Sequence, residues 1–177
     1  MTLGALLATA ALLSACSSDP GTGPLGAGGA VGGQCVPAAL GQTRTMGIYV
    51  LQNPINSPAV TIQSISLRSP HGVRVTGGFW AVPLLPNTPM IGTAVWPPTA
   101  LPGDQRAWAL RERAVGAVIK PGQKMSLVFG LTRTAPGIGG SPGPRIIYTA
   151  GGKSYVWWSN WVFAIAAKCP NPSPSAY

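Results

Sequence analysis

Carboxylates are nearly missing from this sequence: Asp19, Asp104 and Glu112 are the whole set, and His71 is the one histidine. That scarcity excludes most side-chain catalysis. A Ser-His-Asp site would have to unite His71 and Asp104 with some serine, and no Gly-x-Ser-x-Gly elbow singles one out. A glycosidase pair would need Asp104 and Glu112 facing one another across a cleft, and their loop setting gives no reason for a raised pKa. His71, in a Pro-His-Gly turn, reads as an exposed turn residue. A hydrolase acting on cell-wall material is therefore the weakest reading, and we expect no enzyme. Metal chemistry is equally short of ligands. A blue-copper site wants two histidines, and Cys35 and Cys169 lack partners at zinc-ligand spacing. We expect no metal and no cofactor. Gly137-Ile138-Gly139-Gly140 is not followed by the lysine of a phosphate-binding loop and reads as a flexible hairpin end.

Charge is sparse as well, at 8% of residues, yet strongly one-sided: 12 Lys and Arg give a formal net charge of +9. The basic residues are scattered without a run, which argues against a dedicated nucleic-acid surface. Such a chain would be drawn toward anionic headgroups or acidic wall polymers. Long apolar runs are absent too. Residues 3–13 form an uncharged apolar stretch of about a dozen residues, whereas a helix crossing the hydrocarbon needs about twenty.

That stretch ends in Leu13-Ser14-Ala15-Cys16. On its own the run also fits a cleaved secretory leader or a buried helix. With the small residues before the cysteine, it resembles the lipobox of bacterial lipoproteins, although no Lys or Arg precedes Cys16 as a positive n-region would require. The resemblance implies a signal peptide over residues 1–15, cleavage before Cys16 and acylation of its thiol, with palmitate among the expected chains. The protein would then sit at the cell membrane, lipid-anchored on the extracytoplasmic face. Outside the cytoplasm, Cys35 and Cys169 read as a disulfide.

What the sequence has in abundance is turn chemistry, with 24 Gly and 19 Pro. Residues 16–34, Gly-rich, read as a flexible lipidated tether, and residues 170–177 as a disordered tail. Between them, residues 35–169 form one domain of short strands. Met46, Ile48 and Val50 alternate with Gly47 and Tyr49 up to Asn53-Pro54. Val60 and Ile62 share one parity and Ile65 and Leu67 the other, which predicts a bulge near Ser64. Val73, Val75, Gly77, Phe79 and Ala81 make another period-2 series. Lys120-Pro121-Gly122-Gln123 has type II turn residues and is read as a hairpin between residues 114–119 and 125–131. Gly151-Gly152 suits a primed hairpin turn.

About seven strands in this order, with a cysteine at each end, resemble the immunoglobulin-like or fibronectin-like sandwiches found in small bacterial extracytoplasmic lipoproteins, without matching one named family. The fold class expected is thus all-β: an immunoglobulin-like antiparallel β-sandwich. Its cysteines depart from the antibody pattern, because they lie at the domain's ends and not on two core strands.

The last strand carries bulky residues at both parities. Trp157, Trp161, Phe163 and Ile165 are expected inside, leaving Trp158 and Val162 to be covered, with the Pro-rich stretch 83–113 as the obvious cover. That stretch brings Trp96, Trp108, Arg106, Arg111 and Arg113. Together with Trp158 they are the candidate binding residues, since aromatics and arginine suit a contact surface. The expected partners are the membrane through the lipid and an envelope protein or wall polymer, with the chain a monomer. A purely structural envelope lipoprotein is the alternative.

Overall fold

The computed structural model describes residues 23–170 apart from Ala27. The leader, Cys16 and the tail beyond Pro170 lie outside the described residues.

Twelve elements follow the turn signals: β1 (Gly28–Pro37), β2 (Thr43–Gln52), β3 (Val60–Leu67), β4 (Val73–Pro83), β5 (Ala94–Val95), α1 (Pro102–Ala109), β6 (Glu112–Arg113), β7 (Val118–Ile119), β8 (Lys124–Arg133), β9 (Gly139–Ser141), β10 (Pro144–Ala150) and β11 (Lys153–Ala166). They form an all-β sandwich of two sheets. The first runs β1-β11-β10-β3-β7, with β9 also on β11, and the second β5-β2-β8-β4-β6. Every pairing is antiparallel except that of β1 with β11. Of the seven long strands in chain order, the second, fourth and fifth lie in the second sheet and the others in the first. This is the immunoglobulin-type partition, with the first strand placed beside the last.

Between the sheets lie Met46, Leu51, Ile62, Leu127, Phe129, Leu131, Ile146, Tyr148, Trp157 and Phe163, all buried in one cluster. Each such side chain contributes roughly 1.5–3 kcal/mol on removal from water. Edge-to-face packing of Tyr49 on Phe163, with centroids 4.9 Å apart, joins the two sheets. The Tyr49 hydroxyl donates to the Trp161 carbonyl at 3.0 Å.

Bulges decide which parity faces inward. The bulge expected near Ser64 is present: Ser64 opposes Ile147 and Ile62 opposes Tyr148, leaving Gln63 unpaired. In β4 two residues are inserted, Gly77 and Gly78, so Thr76 and Phe79 oppose the consecutive Gly130 and Phe129. An even insertion preserves parity, and Val73, Val75, Phe79 and Ala81 all reach the core as expected. The β2 series does not hold. Met46 opposes Phe129 and Tyr49 opposes Leu127, a one-residue bulge that turns Tyr49 and Leu51 inward and leaves Val50 39% exposed. The bulge sits at Gly47, where a Cβ would lie 2.3 Å from the Ile91 carbonyl oxygen of the layer above.

The turn at residues 120–123 is real, with Gln123 N–H donating to Lys120 O and Gly122 at φ +76. It is not a hairpin. Its flanks belong to different sheets, β7 pairing with β3 and β8 with β2 and β4, and only Val118–Ile119 of the expected strand is extended. Turn residues fix a local bend but not the partner of the strand that follows. The corner is tied instead by buried Asn53, whose side-chain amide donates to Pro58 O and Ile119 O, both at 2.9 Å. By contrast Gly151 and Gly152, at φ +55 and +75, close a two-residue hairpin in which Ala150 opposes Lys153.

The Gly-rich segment is folded over part of the length read as tether. Leu25 is buried in the main core, and residues 28–34 belong to β1. Glycine here serves close approach: a Cβ on Gly32 would fall 2.5 Å from the Trp161 ring. Cys35 and Cys169 form the expected disulfide across 134 residues, with Cα atoms 5.7 Å apart. It lies beside Ala164 and Ala166, so it fastens the first strand to the end of the last.

Candidate functional site

The stretch 83–113 folds back, but onto the outer face of the second sheet, and not over Trp158 and Val162. β5 pairs with the start of β2 and β6 with β4, so both ends of the layer are stitched to sheet edges. Between them, α1 begins with Pro102 at its first turn and Asp104 where the helix dipole favours a negative charge. Its buried side chains, Ala107 and Trp108, meet Val82 and Val128 of the sheet together with Ile91.

A tryptophan triad forms at this contact. Trp108 stands edge-to-face with Trp80 at 5.7 Å and with Trp96 at 5.4 Å. Glycines seat it: a Cβ on Gly77 would be 2.5 Å from the Trp96 ring and one on Gly130 would be 2.8 Å from it. Gly77 and Gly78 also adopt positive φ, +75 and +80, which side-chain-bearing residues rarely tolerate. Beside the triad, the hydroxyls of Thr43, Thr132 and Thr76 form a chain across β2, β8 and β4, with contacts of 2.7 and 2.5 Å.

Two arginines lie on the rings. Arg113 is the cross-strand neighbour of Trp80 and stacks on it at 4.2 Å, while one of its N–H groups donates to Gly77 O at 3.2 Å. Arg111 lies 4.5 Å over Trp108 and 5.2 Å over Trp80, and donates to Trp108 O at 2.9 Å. Each contact of this kind is worth about 0.5–2 kcal/mol. Both residues are exposed, and their guanidinium groups are hydrogen-bonded to uncharged acceptors that leave their charge in place.

Of the residues singled out from sequence, Trp96, Trp108, Arg111 and Arg113 come together. Arg106 lies exposed in the last turn of α1 and does not join the stack. Trp158 belongs to the other sheet, half-buried, with the Arg68 guanidinium 5.8 Å over its ring. Arg68 is held there by hydrogen bonds to Pro142 O and Ser159 O. Trp80 was missed. The available signal was its parity, since it alternates with the inward Phe79 and Ala81 and so places a large aromatic on the outer face.

Val162 lines a separate cleft of about 240 Å³ with His71, Ile138, Ser141, Pro142 and Phe163. The glycines read as a flexible hairpin end, Gly139 and Gly140, are buried in β9, where Gly140 bridges His71. His71 thus bridges to the first sheet, whereas Asp104 lies in α1 over the second. Among the described residues no group of three or more His, Cys, Asp or Glu could hold a metal ion, and no helix is long and apolar enough to cross a membrane. Burial drives the Tyr49 phenol far above its ordinary pKa.

The fold defines an all-β sandwich closed end to end by a disulfide and covered on one face by a Trp/Arg layer. Comparison with protein-family models, curated proteins and solved structures finds no match.

Proposed function

We propose that this protein is a lipid-anchored, non-enzymatic binding module on the extracytoplasmic face of a bacterial cell membrane, and that the Trp/Arg layer is its contact face. One observation carries the reading. Arg111 and Arg113 are held over the rings of Trp80 and Trp108, and their hydrogen bonds go to uncharged carbonyls, an arrangement that restrains both groups while leaving their charges unneutralised by their acceptors. The leader Leu13-Ser14-Ala15-Cys16 supports the anchor, and the end-to-end disulfide suits an oxidising compartment.

The test is crosslinking in native membranes with a photoreactive residue at position 110, followed by mass spectrometry. A defined envelope component should be captured by the wild type and lost in Arg111→Ala/Arg113→Ala, and Cys16 should carry an acyl adduct. Capture unchanged in the double variant would overturn the contact face, and an unmodified Cys16 would overturn the anchor. A purely structural envelope role is the second reading. It is favoured by Trp108 being only 7% exposed, so that much of the aromatic surface is consumed in holding α1 to the sheet.

A further inference from the structure

We infer that the outer layer of the second sheet docks on the headgroup region of an anionic phospholipid leaflet. This rests on the reading of that layer as the contact face and goes further by naming what it meets. Two chemistries coincide in the layer. Its inner side chains, Ile91, Ala107 and Trp108, are sealed against the sheet. Its outer ones include Leu85, Met90, Leu101 and Leu110, which stand between 45% and 61% exposed. A segment that folds back to bury its aromatics, yet leaves these large apolar side chains and Val95 in water, lacks a cover.

Arg111 and Arg113 lie in the same layer, stacked on indoles and bonded only to carbonyls of this chain. The scarcity of acids leaves them without internal neutralisation. Asp104 is buried in α1, so Glu112 is the one exposed carboxylate among the described residues. A soluble polyanion would satisfy the guanidinium groups and leave the aliphatics wet. A leaflet offers phosphates to the arginines and, just beneath, the acyl boundary to the aliphatics. The net charge of +9 adds a long-range attraction toward an extended negative surface, which a small patch on a protein partner would not exploit.

The experiment uses the chain from Ser17 onward, which keeps every described residue and removes both the apolar leader and the acylatable Cys16. Co-sedimentation is measured with vesicles of phosphatidylcholine alone and with added phosphatidylglycerol. Binding is expected only to the anionic vesicles, reversed by salt, and reduced on the order of tenfold in Arg111→Gln/Arg113→Gln. Leu101→Ser/Leu110→Ser, at exposed positions where folding is not at stake, should weaken it as well. Arg145→Gln/Lys153→Gln removes the same charge from the other sheet and should leave binding nearly unchanged.

Equal loss in the Arg145/Lys153 pair would show attraction by net charge alone and overturn the inference. So would indifference to the leucine changes, or no vesicle binding at all. Capture of an envelope protein at position 110 without vesicle binding would leave the contact face standing and sink the lipid assignment.

Discussion

Tyr49 shows what a single buried polar group does in a core with few charges. Its phenol is nearly fully buried and donates to Trp161 O, so burial favours the neutral form and raises the pKa well above the ordinary value of 10. Tyr148 shifts the same way, again chiefly through burial. Above about pH 10 the unfolded chain releases these protons while the folded chain retains them. Stability therefore holds below that pH and falls as pH rises further. Denaturant titrations at neutral pH and near pH 11 should show the decline, and Tyr49→Phe should flatten it while costing about 1–2 kcal/mol at neutral pH for the unpaired carbonyl. An identical alkaline decline in the variant would refute the role of Tyr49. At the same scale, a Cβ on Gly130 would lie 2.7 Å from the Thr76 carbonyl oxygen and 2.8 Å from Trp96, so Gly130→Ala should cost on the order of 1–3 kcal/mol. It should also collapse the near-ultraviolet circular dichroism of the Trp triad, an observable that an unperturbed seat would leave intact.

At the scale of elements, the corner between β2, β3, β7 and β8 depends on Asn53. Its backbone accepts from Gly122 and donates to Gln123, and its amide bonds Pro58 O and Ile119 O, so one side chain joins two sheet-crossing connections. Asn53→Ala should destabilise by about 2 kcal/mol, and Asn53→Asp by more, because a carboxylate supplies neither donor and adds a buried charge. Equilibrium unfolding of the two variants orders them, and an aspartate as stable as the wild type would contradict the assignment. The same corner shows where sequence reading stops. Pro121 and Gly122 reveal a turn because turn geometry is local, whereas membership in one sheet or the other is set by distant partners. Parity behaves alike: the double insertion at Gly77 and Gly78 is invisible to a period of two, and the single insertion at Gly47 inverts it. For the candidate site, the concentration of Trp and Arg in residues 83–113 was legible. That the layer would fold onto Trp80, leaving Trp158 to Arg68 on the opposite sheet, was not, because both outer faces offered a tryptophan to cover.

The whole molecule is closed by a strand that its own sheet holds weakly. β1 is an edge strand, parallel to β11, with an irregular register between Gly28 and Gly32, and its glycines contribute little side-chain packing. What fastens it are Val36 in the core, Trp161 lying against Gly32, and the bond from Cys35 to Cys169. Closing a loop of 134 residues is worth about 4–5 kcal/mol in the chain-entropy account. That figure assumes that the reduced native state keeps β1 in place. Reduction removes the covalent tie from the least packed strand, so local detachment competes with global unfolding, and the measured loss should fall short of the full value. Hydrogen exchange after reduction should therefore lose protection first in β1 and in residues 159–166 of β11, while the central strand β8, paired on both sides, stays protected. If β1 and β8 lost protection together, the sandwich would be a single cooperative unit and β1 would be held by packing, not by its disulfide. The outcome also bears on the anchor, since a lipid at Cys16 would pull on the chain through β1, and the disulfide is the connection that carries such a load into the last strand.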